Sequence, residues 1–197
     1  MGGPIVFYCE FSSPYAYIAM HLIDTVAAKH GRAVAWRPIS LGHLWKAIGR
    51  PLETPKAKMD YSRHDWLRFA KLEGIPMTDP KPFPVNASVA RNLFYRLARD
   101  DQDLAVRFAR AAFNRYWGEG QDIGGVAQLL SVAAALNVPA TELDAAAVDE
   151  VAKQDGAAAT AEAVQAGAFG TPTFLVDGEM FWGADRIAQM DRWLAAR

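Results

Sequence analysis

"PIVFYCEFSSPYAYIAM", residues 4–20, changes its period midway, and that change decides the fold. Pro4 to Phe11 is crowded with β-branched and aromatic side chains and is too short for an ordinary helix, which predicts a buried strand. From Tyr15 onward the apolar residues fall at helical spacing instead. Ile18, Leu22 and Val26, flanked by Ala19, Ile23 and Ala27, make one wide stripe that Lys29, His30 and Gly31 close. Residues 33–39, "AVAWRPI", then read as a second short strand ended by Pro38. Strand, helix and strand in this order form a βαβ unit, so the second strand is expected to run parallel to the first.

Between about residue 40 and residue 167 strand signals almost vanish and helical stripes recur. Trp66, Phe69 and Ala70 make one; Val89, Leu93 and Leu97 another; Leu104, Phe108 and Ala112 a third; Val126 to Leu136 a fourth. The alanine-rich stretch Thr141 to Ala166 favours helix by propensity. "PKPFPVN", residues 80–86, and "WGEGQDIGG", residues 117–125, read as loops.

The β signal returns in "PTFLV", residues 172–176, and "EMFW", residues 179–182, which flank Asp177-Gly178, a strong two-residue hairpin turn. A last amphipathic helix, Asp185 to Ala195, carries Ile187, Met190, Trp193 and Leu194. The order β-α-β, helical block, β-β-α resembles an α/β, thioredoxin-like core with a large all-helical insertion, as in DsbA-like proteins. The expected division is residues 1–39 with 168–197 as the thioredoxin-like domain and 40–167 as the inserted helical domain.

Composition narrows the function classes. The 21 basic and 22 acidic residues leave no overall field that would hold nucleic acid or an anionic membrane, so neither is expected as a partner. No charged lead and apolar run mark a signal peptide at the start, and no apolar run approaches membrane-spanning length. The single cysteine, Cys9, cannot form an internal disulfide, which favours a reducing, cytoplasmic setting. It lies inside the first strand and reads as a small core residue. His21, His30, His43 and His64 show no metal-ligand spacing, and no metal site is expected. A serine-hydrolase elbow and a dinucleotide fingerprint are both missing from the sequence.

In thioredoxin-like proteins the redox cysteines lie just after the first strand, where the N-terminus of a helix stabilises a thiolate. Here that place holds Ser13-Pro14-Tyr15-Ala16, which cannot cycle a disulfide. A serine hydroxyl there can donate a hydrogen bond to a thiolate carried by another molecule. Serine before proline is equally the ordinary start of a helix, the hydroxyl acting as its cap. Gly170-Thr171-Pro172 precedes the third strand where such folds place a cis-proline; its plain alternative is a strand-starting proline.

"FYCEFSSPYAYIA", "KMDYSRHDWLRFA", "FPVNASVARN", "FGTPTF" and "FWGADRI" together resemble the 2-hydroxychromene-2-carboxylate isomerases, nearly end to end and in the right order. These are glutathione-dependent enzymes grouped with kappa-class glutathione transferases in the DsbA-like thioredoxin superfamily. The resemblance implies a cis-trans isomerase with glutathione as recycled cofactor, a small aromatic carboxylate as substrate, a role in aromatic compound catabolism and a homodimer. It implies Ser13, the serine immediately before proline, as the catalytic group that holds the sulfur as thiolate. Thr171, before the cis-proline Pro172, would pair through its backbone with the cysteinyl part of glutathione. Trp182, Gly183, Ala184 and Asp185 match the segment that binds the γ-glutamyl end, with Asp185 accepting from its amino group. Related enzymes often have a polar residue where Ala184 stands, so one hydrogen bond is expected to be missing.

An aromatic, anionic substrate needs a flat apolar wall and a cation. The resemblance points to Lys46, in the basic segment "LWKAIGRPLETPKAKMDY", for the carboxylate, and to Asn86 for a further polar contact. Two other functions stay open on the residues: a kappa-class-like glutathione transferase, which shares the thiolate chemistry, and a non-enzymatic thioredoxin-like module that binds extended peptides in the cis-proline groove.

Overall fold

The computed structural model describes residues 2–197. Strand β1 (Ile5–Cys9) leads through a tight turn into helix α1 (Pro14–Lys29), which returns to strand β2 (Val34–Pro38). The inserted block follows as α2 (Leu41–Ala47), α3 (Lys56–Leu72), α4 (Ser88–Ala98), α5 (Gln102–Phe113), α6 (Val126–Ala135), α7 (Ala140–Val148) and α8 (Glu150–Gln165). Strands β3 (Thr173–Val176) and β4 (Glu179–Trp182), a 3₁₀ turn at Ala184–Arg186 and helix α9 (Ile187–Ala195) close the described chain. The strand order is β2-β1-β3-β4, with β2 parallel to β1 and β3 antiparallel to both β1 and β4. The parallel pairing of β1 and β2 is as expected from the sequence, and the sheet is that of a thioredoxin-like core.

Side-chain alternation along β1 gives the sheet two covered faces. Ile5, Phe7 and Cys9 enter the larger core, where the Phe7 ring stacks on Phe174 at 5.2 Å and meets Trp36 edge-on at 4.9 Å. That core is continuous with Trp66, Phe94 and Phe108 of the inserted helices. Tyr8 points the other way, into a smaller cluster with Leu44 of α2 and Ala159 and Ala163 of α8.

Several boundaries depart from the sequence reading for local reasons. β1 stops at Cys9, short of Phe11, because the chain is already turning: Ser13 N–H donates back to Glu10 O at 2.9 Å. The alanine-rich stretch is broken at Asp149, whose carboxylate caps α8 by accepting from Ala152 N–H at 2.9 Å and also receives Arg96 of α4 and Arg99 just after it. Those three contacts, led by the Ala152 N–H, hold the Asp149 carboxyl well below the usual carboxylate range. The hairpin turn is as expected: Asp177 and Gly178 both take positive φ, 49° and 82°.

The end of α5 carries the one feature that sequence periodicity does not suggest. Asn114–Gly118 continues it as a π-helical turn, and the extra residue lets neighbouring Tyr116 and Trp117 both be buried. Trp117 Nε1 then donates to Phe11 O at 2.9 Å, and Tyr116 OH to Pro82 O at 2.5 Å. The π turn thus braces the loop between β1 and α1 from behind.

Candidate active site

Ser13 is the N-cap of α1, with extended backbone and Pro14 in the first turn. Its hydroxyl accepts from Ala16 N–H at 3.2 Å and donates to Thr171 O at 3.1 Å. Cap and cross-strand tether are therefore the same group, and it is 5% exposed. The Thr171–Pro172 peptide is cis, which decides between the two readings of Gly-X-Pro. Thr171 Oγ1 is buried without a hydrogen-bond partner. A buried orphan polar atom at this place is what a ligand group would satisfy.

Gly183 follows β4 with φ +111°, a conformation that favours glycine, and its N–H donates to Pro172 O at 3.0 Å. This bond ties the Trp182–Asp185 segment to the cis-proline. Trp182, 47% exposed, packs on Phe169 with ring centroids 4.7 Å apart. Gly170 makes room for it, since a Cβ there would come within 2.6 Å of Trp182 Nε1. Asp185 stands at the start of the last helical segment, its carboxylate reachable from solvent and 3.4 Å from Arg186 Nη1.

These groups open onto one cavity of about 1370 Å³. Ser13, Thr171, Pro172, Trp182, Gly183, Asp185 and Asn86 all line it. Ala184 lies buried beneath the surface of that segment, and Asn86 is occupied at the start of α4, accepting from Ser88 N–H at 3.2 Å. Lys46 lines, with His43 and Gly49, an adjoining depression of about 570 Å³ that shares Ser40, Gly42, Arg50 and Leu52 with the cavity.

Sequence reasoning overlooked the wall opposite Ser13. Tyr15, Trp66 and Phe83 form an aromatic face, with Trp66 5.6 Å from Phe83 and 6.4 Å from Tyr15 between centroids. Tyr15 OH donates to Asp65 Oδ2 at 2.7 Å, and Asp65 also receives Arg68. Burial, then the Asp65 contact, pushes the Tyr15 hydroxyl above its ordinary pKa. Glu10 and Arg91 line the floor. Burial pushes the Glu10 carboxyl up to about 7, against the opposing pull of Ser12, whose N–H and hydroxyl donate to Oε2 at 3.0 and 2.5 Å, and of the Arg91 charge. A charged residue three positions before Ser13, at the end of an apolar strand, was the legible signal for Glu10. Arg91 had none, because helical spacing alone does not show which polar residue faces inward.

The arrangement sets a capped helix N-terminus beside a cis-proline and an aromatic face in the same cavity. A family model described as a DSBA-like thioredoxin domain matches residues 4–195. The 2-hydroxychromene-2-carboxylate isomerase of Pseudomonas putida is 31% identical over 194 residues, which cover 94% of this chain and 91% of that protein. Glutathione S-transferase kappa 1 of Caenorhabditis elegans is 29% identical over 126 residues, 60% of this chain and 56% of that one. A solved 2-hydroxychromene-2-carboxylate isomerase structure superposes with a TM-score of 0.86 at 26% identity, covering 98% of this chain and 94% of its own.

Proposed function

The chain belongs to the 2-hydroxychromene-2-carboxylate isomerase family of DSBA-like thioredoxin domains, and we propose that it is a glutathione-dependent cis-trans isomerase. Its substrate is 2-hydroxychromene-2-carboxylate or a related aromatic analogue, and its product trans-o-hydroxybenzylidenepyruvate. The observation that carries this reading is the Ser13 hydroxyl, held at a helix N-terminus 3.1 Å from the Thr171 carbonyl and open to a cavity with an aromatic wall.

The residues present fit glutathione. Thr171 offers an orphan hydroxyl beside the cis-proline, and Asp185 offers a carboxylate for an ammonium group. Glutathione, when bound, supplies a thiolate whose reversible addition to the opened, conjugated substrate frees a double bond to rotate. Ser13 keeps its place by accepting from Ala16 N–H while its proton swings from Thr171 O to a sulfur. The α1 N-terminus adds a favourable field for a negative charge there. Tyr15, Trp66 and Phe83 shield the reacting region from water and hold an aromatic ring flat. The family resemblance supports a homodimer in this reading, and the single buried cysteine a cytoplasmic setting with the roles of Ser13, Thr171 and Asp185 unchanged.

The kappa-class relative favours a second reading, a glutathione transferase that releases the adduct. One experiment separates the two. Purified protein is mixed with 2-hydroxychromene-2-carboxylate with and without glutathione, and a general electrophile is run in parallel. Isomerisation that requires glutathione without consuming it is the expected result. Glutathione consumption with the electrophile and no isomerisation would favour the transferase; inactivity in both arms would favour a peptide-binding module.

A further inference from the structure

The cavity holds five basic side chains: Arg50, Lys58, Arg68, Arg91 and Arg186. Most are already engaged. Arg50 donates to Phe169 O at 3.1 Å and lies over the Trp45 ring, Arg68 pairs with Asp65, and Arg186 with Asp185. Lys58 is exposed at the rim, where water screens it. Arg91 differs from all of them. Among the described residues it pairs with no carboxylate, and its Nε is buried without a hydrogen-bond partner. A guanidinium in that condition is costly unless something completes it.

The fold also makes room for this side chain. Gly156 sits buried in the middle of α8, a position where glycine weakens a helix. A Cβ there would lie 3.0 Å from Arg91 Nε and 3.2 Å from its Cδ. The missing methyl is what lets the arginine pass between α4 and α8 to the cavity floor. The Glu10 charge acts on it, but Glu10 Oε2 is taken by Ser12, and burial raises its pKa to about 7, so near neutrality it only partly offsets the arginine charge.

Resting on the isomerase reading for the substrate class, we propose that Arg91 is the receptor for the carboxylate of an aromatic acid lying against the Trp66 and Phe83 wall. Lys46, to which the family resemblance points for a carboxylate, lies in the adjoining depression. The fork of a guanidinium suits a carboxylate bidentately, which a lysine cannot match.

Binding without glutathione tests this apart from the isomerase reading. Trans-cinnamate and its uncharged isostere cinnamamide are titrated while tryptophan fluorescence is read. The unaltered protein should prefer the acid by about tenfold or more, as expected for a charge-assisted pair. Arg91→Gln should abolish the preference and Arg91→Lys keep part of it. Gly156→Ala should narrow it by pressing on the guanidinium, and Lys58→Gln should leave it intact. Nitrogen NMR of the unaltered protein needs no variant: the Arg91 Nε–H signal should shift with cinnamate and stay in place with cinnamamide. No preference in the unaltered protein, a preference that survives Arg91→Gln, or an unmoved Nε–H signal would overturn the proposal. Loss of the glutathione requirement in turnover, with the acid preference intact, would overturn only the isomerase reading.

Discussion

The two sides of the cavity are built on different principles. On the strand side, Ser13, Pro172 and Gly183 are joined by short bonds, hydroxyl to Thr171 carbonyl and Gly183 N–H to Pro172 O, which leave Thr171 Oγ1 as the unpartnered group there. On the floor and the helix side, demands are less well met: the Glu10 carboxyl, just after β1, has its ionisation opposed, and Arg91 Nε and the Trp66 indole nitrogen are buried without partners. An edge joined by such bonds holds its geometry before a ligand arrives, whereas a less satisfied floor gains most when one does. The first arrangement suits a cofactor returned unchanged at each turnover. The second suits a substrate that must be recognised by its charge.

The largest expected effect tests the floor. Because the folded pKa of Glu10 is raised from 4.5 to about 7, its contribution to stability is complete below the unfolded value and is lost as pH rises through the folded one. The fall should amount to ~3 kcal/mol between those two values. Denaturant unfolding followed from acid to neutral pH should show it, and Glu10→Gln should remove it. A wild-type curve that stays flat through this window would mean that the floor is better hydrated than its burial implies. Asp149 acts in the opposite sense and in a lower window, since its depressed pKa gives stability above the usual carboxylate range that is lost in acid.

On the strand side, Ser13→Ala removes a donor to a charged acceptor, and turnover should fall between about ten- and a hundredfold. Stability should drop by about 1 kcal/mol as the α1 cap is lost. A stability loss with undiminished turnover would leave Ser13 as a cap alone. Asp185→Ala should weaken glutathione binding about tenfold in calorimetry with little change in turnover at saturation. Ala184→Ser gives the smallest shift. If the segment lacks one donor to the ligand, a hydroxyl there should tighten glutathione binding by about fivefold; a loss of affinity would place Ala184 as packing beneath the segment.

What the sequence revealed follows the same division. The strand side was legible because its signals are local. An apolar run ends at Ser-Pro, Gly-X-Pro precedes a strand, and Trp-Gly-Ala-Asp opens a helix, each within a few residues. The parallel pairing of β1 and β2 followed from the rules of βαβ units, whereas the placing of β3 beside β1 came only with the structure. The helix side was hidden because its residues meet only through tertiary packing: Arg91 and Gly156 lie on separate helices, and Trp66 joins Phe83 across a loop. Lys46 came from the family resemblance, and its helix α2 places it in the depression that adjoins the cavity. The break at Asp149 was obscured by alanine propensity, which outweighs a single cap in any local reading.

Holding a thiolate at Ser13 is the claim on which the rest depends, and titrating the thiol of bound glutathione by its ultraviolet absorbance tests it most directly. The pKa should lie below that of free glutathione in the unaltered protein and rise in Ser13→Ala. An equal pKa in the two proteins would contradict the account.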